Sequence, residues 1–415
     1  MKKLGILSAV LLVVIVLAYR PDAMRAANGS HAPIVIASDS DFQVCNCVAS
    51  GSGTTTDPYI IGPWAINSPD TSAAVSIDGT LLTKSFTLFN LTIAGNGANS
   101  NIGIVLNHIN PFGKSTISAG VTGTHTAIQN AGIGIVVENS SFVTLDGGGP
   151  NPNGAGIVAT AGTINKNFIG AIDIENSSSI TVKGWQFSAD GQDNSPDYVA
   201  FDPSLAHWGV GAVRLFASSN NLIDHNAANN CTTVSFTVFN SNSNTISNNT
   251  ADYPFSFNVL ITDGSSFNTV SNNVFSTADF AGIVIGDPLQ ATLTLNQYGP
   301  AHDNLIQANV DHSDGPTGTE RRSGIAPSFV GGLVILNGTY NNTIRNNHVF
   351  AAAGNDLVWA QAVPDPNSPI GVATAPPIIH CNVTVSEGGG GVANHNGNVW
   401  SANTDNRIDS CITQQ

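Results

Sequence analysis

The sequence predicts an all-β solenoid: short strands wound into coils of about 23 residues, stacked in parallel and closed by a C-terminal cap. Three observations predict it. An apolar-then-asparagine signal recurs at fixed spacing. Each repeat carries a second short alternating strand upstream. No apolar period of 3.6 residues runs through any of this, so the strands are not disguised helices.

The signal reads NNLIDHN (220–226), SNTISNN (243–249), FNTVSNN (267–273), DNLIQAN (303–309) and NNTIRNN (341–347). The central aliphatics Ile223, Ile246, Val270, Ile306 and Ile344 are separated by 23, 24, 36 and 38 residues. The last two steps are one period plus an insertion of about a dozen residues. Eight residues upstream of Ile223, Ile246 and Ile344 stand Leu215, Val238 and Leu336. Two earlier units, 132–147 and 170–184, keep that frame with Val137 before Leu145 and Ile174 before Val182. In the unit of Val270 the upstream residue, Ile261, lies nine residues away.

Strands too short to form a sheet alone, repeated at one spacing, stack coil on coil about 4.8 Å apart. The inward aliphatics then form columns: Leu145, Val182, Ile223, Ile246, Val270, Ile306 and Ile344 in one, and Leu215, Val238 and Leu336 in another. Paired asparagines fit the corners. Asparagine tolerates the left-handed backbone better than any other non-glycine residue. Stacked side-chain amides also hydrogen-bond along a column. Asn226, Asn249, Asn273, Asn309 and Asn347, each three residues after a column aliphatic, are expected to form one ladder, with His225 standing in a ladder position.

These repeats resemble the right-handed parallel β-helix family of the pectate-lyase-like superfamily. The stretch GSGTTTDPYIIGPWAI (51–66) looks like the opening of its NosD-like branch. The resemblance covers roughly residues 50–410 and implies a right-handed parallel β-helix. The superfamily holds lyases, hydrolases, epimerases, adhesins and copper-centre accessory proteins, so the fold does not choose among them.

The domain plan follows in chain order. Residues 1–27 are a signal peptide or an N-terminal anchor, because Lys2-Lys3 precedes an unbroken apolar run. Residues 28–60 form a lead-in segment, 61–355 the β-helix, and 356–415 the last coils and cap. A cap is required because an open solenoid end exposes unpaired strand edges. Export places the five cysteines in an oxidising compartment. Cys381 and Cys411 are the favoured disulfide, stapling the C-terminal end; Cys45 and Cys47 are expected to find partners elsewhere or to be a metal pair.

Only 10% of the residues are charged and 41% are hydrophobic, which excludes a disordered chain. A formal net charge of −15, from 13 Lys+Arg against 28 Asp+Glu, argues against nucleic acid as a partner. Membrane contact is expected only through an uncleaved N-terminal segment. The expected location is secreted, periplasmic or cell-surface.

Candidate site residues follow from the frame. With Ile174 and Leu215 inward, Asp173 and Arg214 point outward on adjacent coils. Glu138 and Glu175 share a frame position, so two carboxylates lie about one strand spacing apart. Such a pair either binds a cation or splits its pKa values for acid–base work. The alternative is that the two ENSS tetrapeptides merely cap equivalent turns. In this family the first sheet and its flanking loops usually carry the site, so Asp173, Glu175 and Arg214 are the catalytic candidates.

The insertion at 188–208 holds Asp190, Asp193 and Asp197, a candidate Ca2+ site, with His207 and Trp208 as substrate contacts. A solvated acidic loop is its alternative. The insertion at 311–324 holds Asp311, His312 and the paired cations Arg321 and Arg322, a carboxylate clamp or a surface ion pair. The polygalacturonase motif set is missing apart from Asn403-Thr404-Asp405.

Three functions remain open. One is a non-catalytic protein binding an extracellular polysaccharide or cell-surface glycan, with Glu138 among its contacts. The second is a lyase or hydrolase on acidic sugars. The third is a NosD-like accessory role in metal-centre assembly, which copper chemistry would support with clustered His, Met or Cys. The chain has two methionines, both in the leader region.

Overall fold

The computed structural model describes residues 29–68, 72–96, 101–111, 115–123, 125–149, 162–165, 169–188, 211–231, 234–254, 257–278, 281–286, 299–314, 331–336, 339–351, 355–360, 394–395 and 398–401. Within these residues each coil contributes one strand to each of three sheets of 11, 13 and 11 strands. Among the described residues the pairing from coil to coil is parallel, and antiparallel pairs occur only between 48–50 and 59–61 and between 394–395 and 398–401. One coil shows the path: Gly211–Phe216 lies in sheet I, Leu222–Asp224 in sheet II and Ala227–Asn229 in sheet III, before Val234–Phe239 re-enters sheet I. The stacking begins within the lead-in segment, where Ile34–Ser38 pairs with the sheet I strand Ala73–Leu81.

The core is the inside of the coil. In sheet II the column Leu145, Val182, Ile223, Ile246, Val270, Ile306 and Ile344 is in register as the spacing predicts. Every member is buried, which supplies the hydrophobic driving force that no single coil has alone. In sheet I the column runs Val137, Ile174, Leu215, Val238, Ile261, Ile285 and Ile335. Ile335, not Leu336, therefore continues the column of Leu215 and Val238; Leu336 pairs with Ala360. The corner before sheet II is one residue longer in this coil, as it is after Ile261, where Asp263 and Gly264 both take positive φ. The insertion placed at 311–324 starts later, because Val310–Asp314 is a strand of sheet III.

The paired asparagines divide the work at the corner. The first, as in Asn248, Asn272 and Asn346, takes the left-handed conformation, with φ near +55°. The second points inward and joins the ladder Asn226, Asn249, Asn273, Asn309 and Asn347. His225 takes the left-handed position, with φ +55°, and the ladder continues through its neighbour Asn226. This is a correction to its expected place, and its reason is the offset of one residue between turning and stacking positions.

A second ladder, Asn221, Asn244, Asn268, Asn304 and Asn342, lines the other corner of sheet II. A serine ladder, Ser140, Ser177, Ser218, Ser241 and Ser265, follows sheet I; each hydroxyl after the first accepts the backbone N–H of the serine one coil earlier, and that of Ser140 accepts the Ile109 N–H.

Asn249 shows what a rung contributes. Its Oδ1 accepts from the Asn226 backbone N–H and from Asn226 Nδ2, and its Nδ2 donates to Ile223 O and Asn273 Oδ1, all at 2.9–3.0 Å. Asn249→Ala strands these buried partners at about 1–3 kcal/mol each. The expected loss is at least about 3 kcal/mol of unfolding free energy by urea denaturation, on that same scale.

Cys45 and Cys47 are bonded to each other, a correction to the expectation of partners elsewhere. The turn after the short helix Asp41–Val44 returns the chain within two residues and brings the sulfurs together. Cys381 and Cys411 lie outside the described residues.

Candidate functional site

The outer face of sheet I breaks the pattern of a solvated sheet surface. The strands Gly170–Glu175, Gly211–Phe216, Val234–Phe239 and Phe257–Thr262 are each six residues long, and of their residues only Glu175 and Phe216 are not fully buried. The first outward column runs Val105, Val136, Asp173, Arg214, Thr237, Leu260, Val284 and Val334. It is apolar at both ends and polar at Asp173, Arg214 and Thr237. A second column beside it runs Asn107, Glu138, Glu175, Phe216, Phe239 and Thr262.

Parallel register places Asp173 directly opposite Arg214, and the side chains meet. Arg214 Nε donates to Asp173 Oδ1 at 2.8 Å and Nη2 to Asp173 Oδ2 at 2.7 Å, a bidentate fork. Nη2 also donates to Glu175 Oε1. The guanidinium carbon stands 5.5 Å from the centre of the Phe216 ring. The side chains of Arg214 and Asp173 are 2% and 3% exposed, whereas that of Glu175 is 18% exposed. Glu175 is thus the member of the cluster that reaches the surface.

One cation serves two acidic groups, so their charges are not both compensated. Glu175 is pushed up from 4.5 to about 8. Burial is the largest cause, followed by the charge of Asp173; Arg214 opposes, and Glu138 one coil away adds to the rise. Glu138 is half-buried and in register with Glu175, as the frame predicts.

The structure therefore brings together Asp173, Glu175, Arg214 and Glu138. Asp190, Asp193, Asp197, His207, Trp208, Arg321 and Arg322 lie outside the described residues. Among the described residues no group of three or more His, Cys, Asp or Glu side chains is placed to hold a metal ion.

Four residues of the same face were not singled out from sequence: Phe216, Thr237, Phe239 and Thr262. The hydroxyls of Thr237 and Thr262 are buried without a hydrogen-bond partner. Phe216 and Phe239 pack with ring centres 5.2 Å apart. The alternation that turns Leu215 and Val238 inward already turns these phenylalanines outward, and that signal was available.

A family model described as "Right handed beta helix region" matches residues 118–298, a little under half of the chain. Comparison with curated proteins finds no match. Among solved structures, the chain is similar to a tailspike protein mutant of E. coli bacteriophage HK620 in complex with pentasaccharide. That match has 12% identity and a TM-score of 0.43, over 75% of this chain and 56% of that one. It is similar to DFA-IIIase from Arthrobacter chlorophenolicus A6 in complex with DFA-III, at 13% identity and a TM-score of 0.41, over 68% of this chain and 60% of that one. An alginate lyase from Paenibacillus sp. str. FPU-7 matches at 12% identity and a TM-score of 0.34, over 80% of this chain and 94% of that one. The chain spans a little over half the length of the tailspike. None of these matches singles out the NosD-like branch. Three parallel sheets wound from one repeating path, in the region that the family model matches, make this fold a right-handed parallel β-helix.

Proposed function

We propose that this protein is an exported carbohydrate-active enzyme that cleaves glycosidic bonds on the outer face of sheet I. Glu175 is the proton donor in this reading and Glu138 the second carboxylate. One observation carries it: a carboxyl group that keeps its proton at neutral pH stands in register with a second carboxylate, above a buried Asp173–Arg214 pair. Glycoside hydrolysis needs this division of labour, an acid to protonate the leaving oxygen and a carboxylate to meet the positive charge at the anomeric carbon. Arg214 acts through Glu175 and is a positioning residue. It touches Asp173 and Glu175 from a buried place, so it is not the base that removes a substrate proton.

The same geometry favours hydrolysis of neutral glycans over lysis of acidic ones. A uronate lyase needs a cation free to neutralise the sugar carboxylate. The guanidinium in this cluster is already held by the Asp173 carboxylate and the Glu175 carboxyl oxygen. Phe216 is half-buried, with its ring against Arg214 and Phe239.

The test is a panel of neutral and acidic polysaccharides across pH 5–9, with three readouts: new reducing ends, the ultraviolet absorbance of unsaturated uronate products, and binding. New reducing ends on a neutral glycan without unsaturated product are expected, with the rate falling as pH rises through about 8. Unsaturated product would replace hydrolase with lyase. Binding without turnover on every glycan would replace both with the non-catalytic reading.

A further inference from the structure

The disulfide between Cys45 and Cys47 joins residues only two apart. A crosslink stabilises a fold mainly by removing freedom from the unfolded chain, and that effect shrinks with the logarithm of the loop it closes. A loop this short removes only about half of what a 15-residue loop does. The segment is also held without the sulfurs. Trp64 Nε1 donates to Cys47 O at 2.7 Å, His31 Nε2 lies 3.2 Å from Cys45 O, and Cys45 N–H donates to Asp41 O at 3.0 Å. Beyond Cys47, Val48–Ser50 pairs with Tyr59–Ile61. The covalent bond is redundant as a staple.

Its two sulfurs are not equivalent. Cys47 is fully buried, whereas Cys45 is half-exposed and is followed by exposed Asn46 in the left-handed region at φ +56°. The backbone N–H of Cys47 donates to Cys45 Sγ at 3.1 Å. A donor aimed at a sulfur stabilises its thiolate once the bond opens.

We propose that Cys45–Cys47 is a thiol–disulfide exchange site that oxidises a dithiol, independent of the carboxylate cluster on sheet I. A thiolate of the dithiol attacks the accessible Cys45 Sγ. The new S–S bond forms as the Cys45–Cys47 bond breaks, and Cys47 Sγ leaves with the electron pair and takes up a proton. The second thiolate of the dithiol then attacks its own sulfur in the mixed disulfide. Cys45 Sγ leaves as a thiolate, received by the Cys47 N–H. The balance is one dithiol oxidised to a disulfide and one protein disulfide reduced to two thiols. A monothiol stops at the mixed disulfide on Cys45.

The full chain is treated under native conditions with dithiothreitol or with reduced glutathione, quenched with acid, alkylated in denaturant and mapped by mass spectrometry. Dithiothreitol is expected to reduce the pair while the chain stays folded, with circular dichroism and Tm unchanged, so that both Cys45 and Cys47 are alkylated once the sample is acid-quenched and then denatured. Glutathione is expected to form an adduct on Cys45 and none on Cys47. A pair that stays oxidised until denaturant unfolds the chain overturns the proposal, and so does reduction that lowers Tm by about ten degrees or more, which would mark a staple. The variant Cys47→Ser gives an independent check. Its Cys45 is expected to react with oxidised glutathione at least about tenfold faster than buried Cys231, and equal rates overturn the proposal.

Discussion

Replacing Arg214 by alanine is expected to lower the unfolding free energy by about 3–5 kcal/mol, the usual cost of stranding a buried charge by removing its partner. Denaturant titration at neutral pH reads it. The reason lies in the column. Its apolar members, Val136 and Leu260, bring no polar group that must be paired, whereas Asp173 and Glu175 share one guanidinium. Without that guanidinium, Asp173 keeps a carboxylate that is 3% exposed and has lost both of its charge-assisted bonds. A deficit below about 1 kcal/mol, the level of an exposed ion pair, would show the cluster to be solvated and remove the basis for the raised Glu175.

Glu175→Gln is expected to lower turnover by about 10²–10⁴-fold, because an amide cannot donate the proton that glycosidic oxygen needs. The variant also has a readout that requires no substrate. Glu175 is protonated in the folded chain up to about pH 8, whereas its ordinary value is 4.5. Between those values the native state holds one proton more than the unfolded state, so wild-type stability falls as pH rises. The contribution is complete below about pH 4.5 and lost on passing through about pH 8. At ~1.4 kcal/mol per pKa unit the slope amounts to a few kcal/mol across the window. Glutamine keeps the size and an oxygen for Arg214 but does not titrate, so its stability curve is expected to lack this slope. Parallel curves for the two proteins would mean that Glu175 titrates normally, and the proton-donor role would fall with it.

Much of this protein is settled by its repeat alone. The spacing of Ile223, Ile246 and Val270 sets the coil, and the alternation around Leu215 and Ile174 decides which residues face in. Once Ile174 and Leu215 are inward, Asp173 and Arg214 must be neighbours on adjacent coils, as must Glu138 and Glu175. The ladder of Asn226, Asn249 and Asn273 follows from the same count. These features are legible because stacked coils turn sequence offset into spatial adjacency, and strand geometry then leaves one choice of face.

Only the tertiary structure decided the rest. The frame put Asp173 and Arg214 side by side, but it could not show an outer sheet face that is buried, and burial turns a surface ion pair into a closed cluster with a proton on Glu175. Corner lengths vary by one residue, which hid the shift from Leu336 to Ile335, and the offset of one residue between turning and stacking positions hid the place of His225. The Cys45–Cys47 bond depends on the single turn after 41–44, which no repeat predicts. A period specifies which residues stack. The dielectric around them, and the contacts made where the chain does not repeat, depend on everything packed nearby in space.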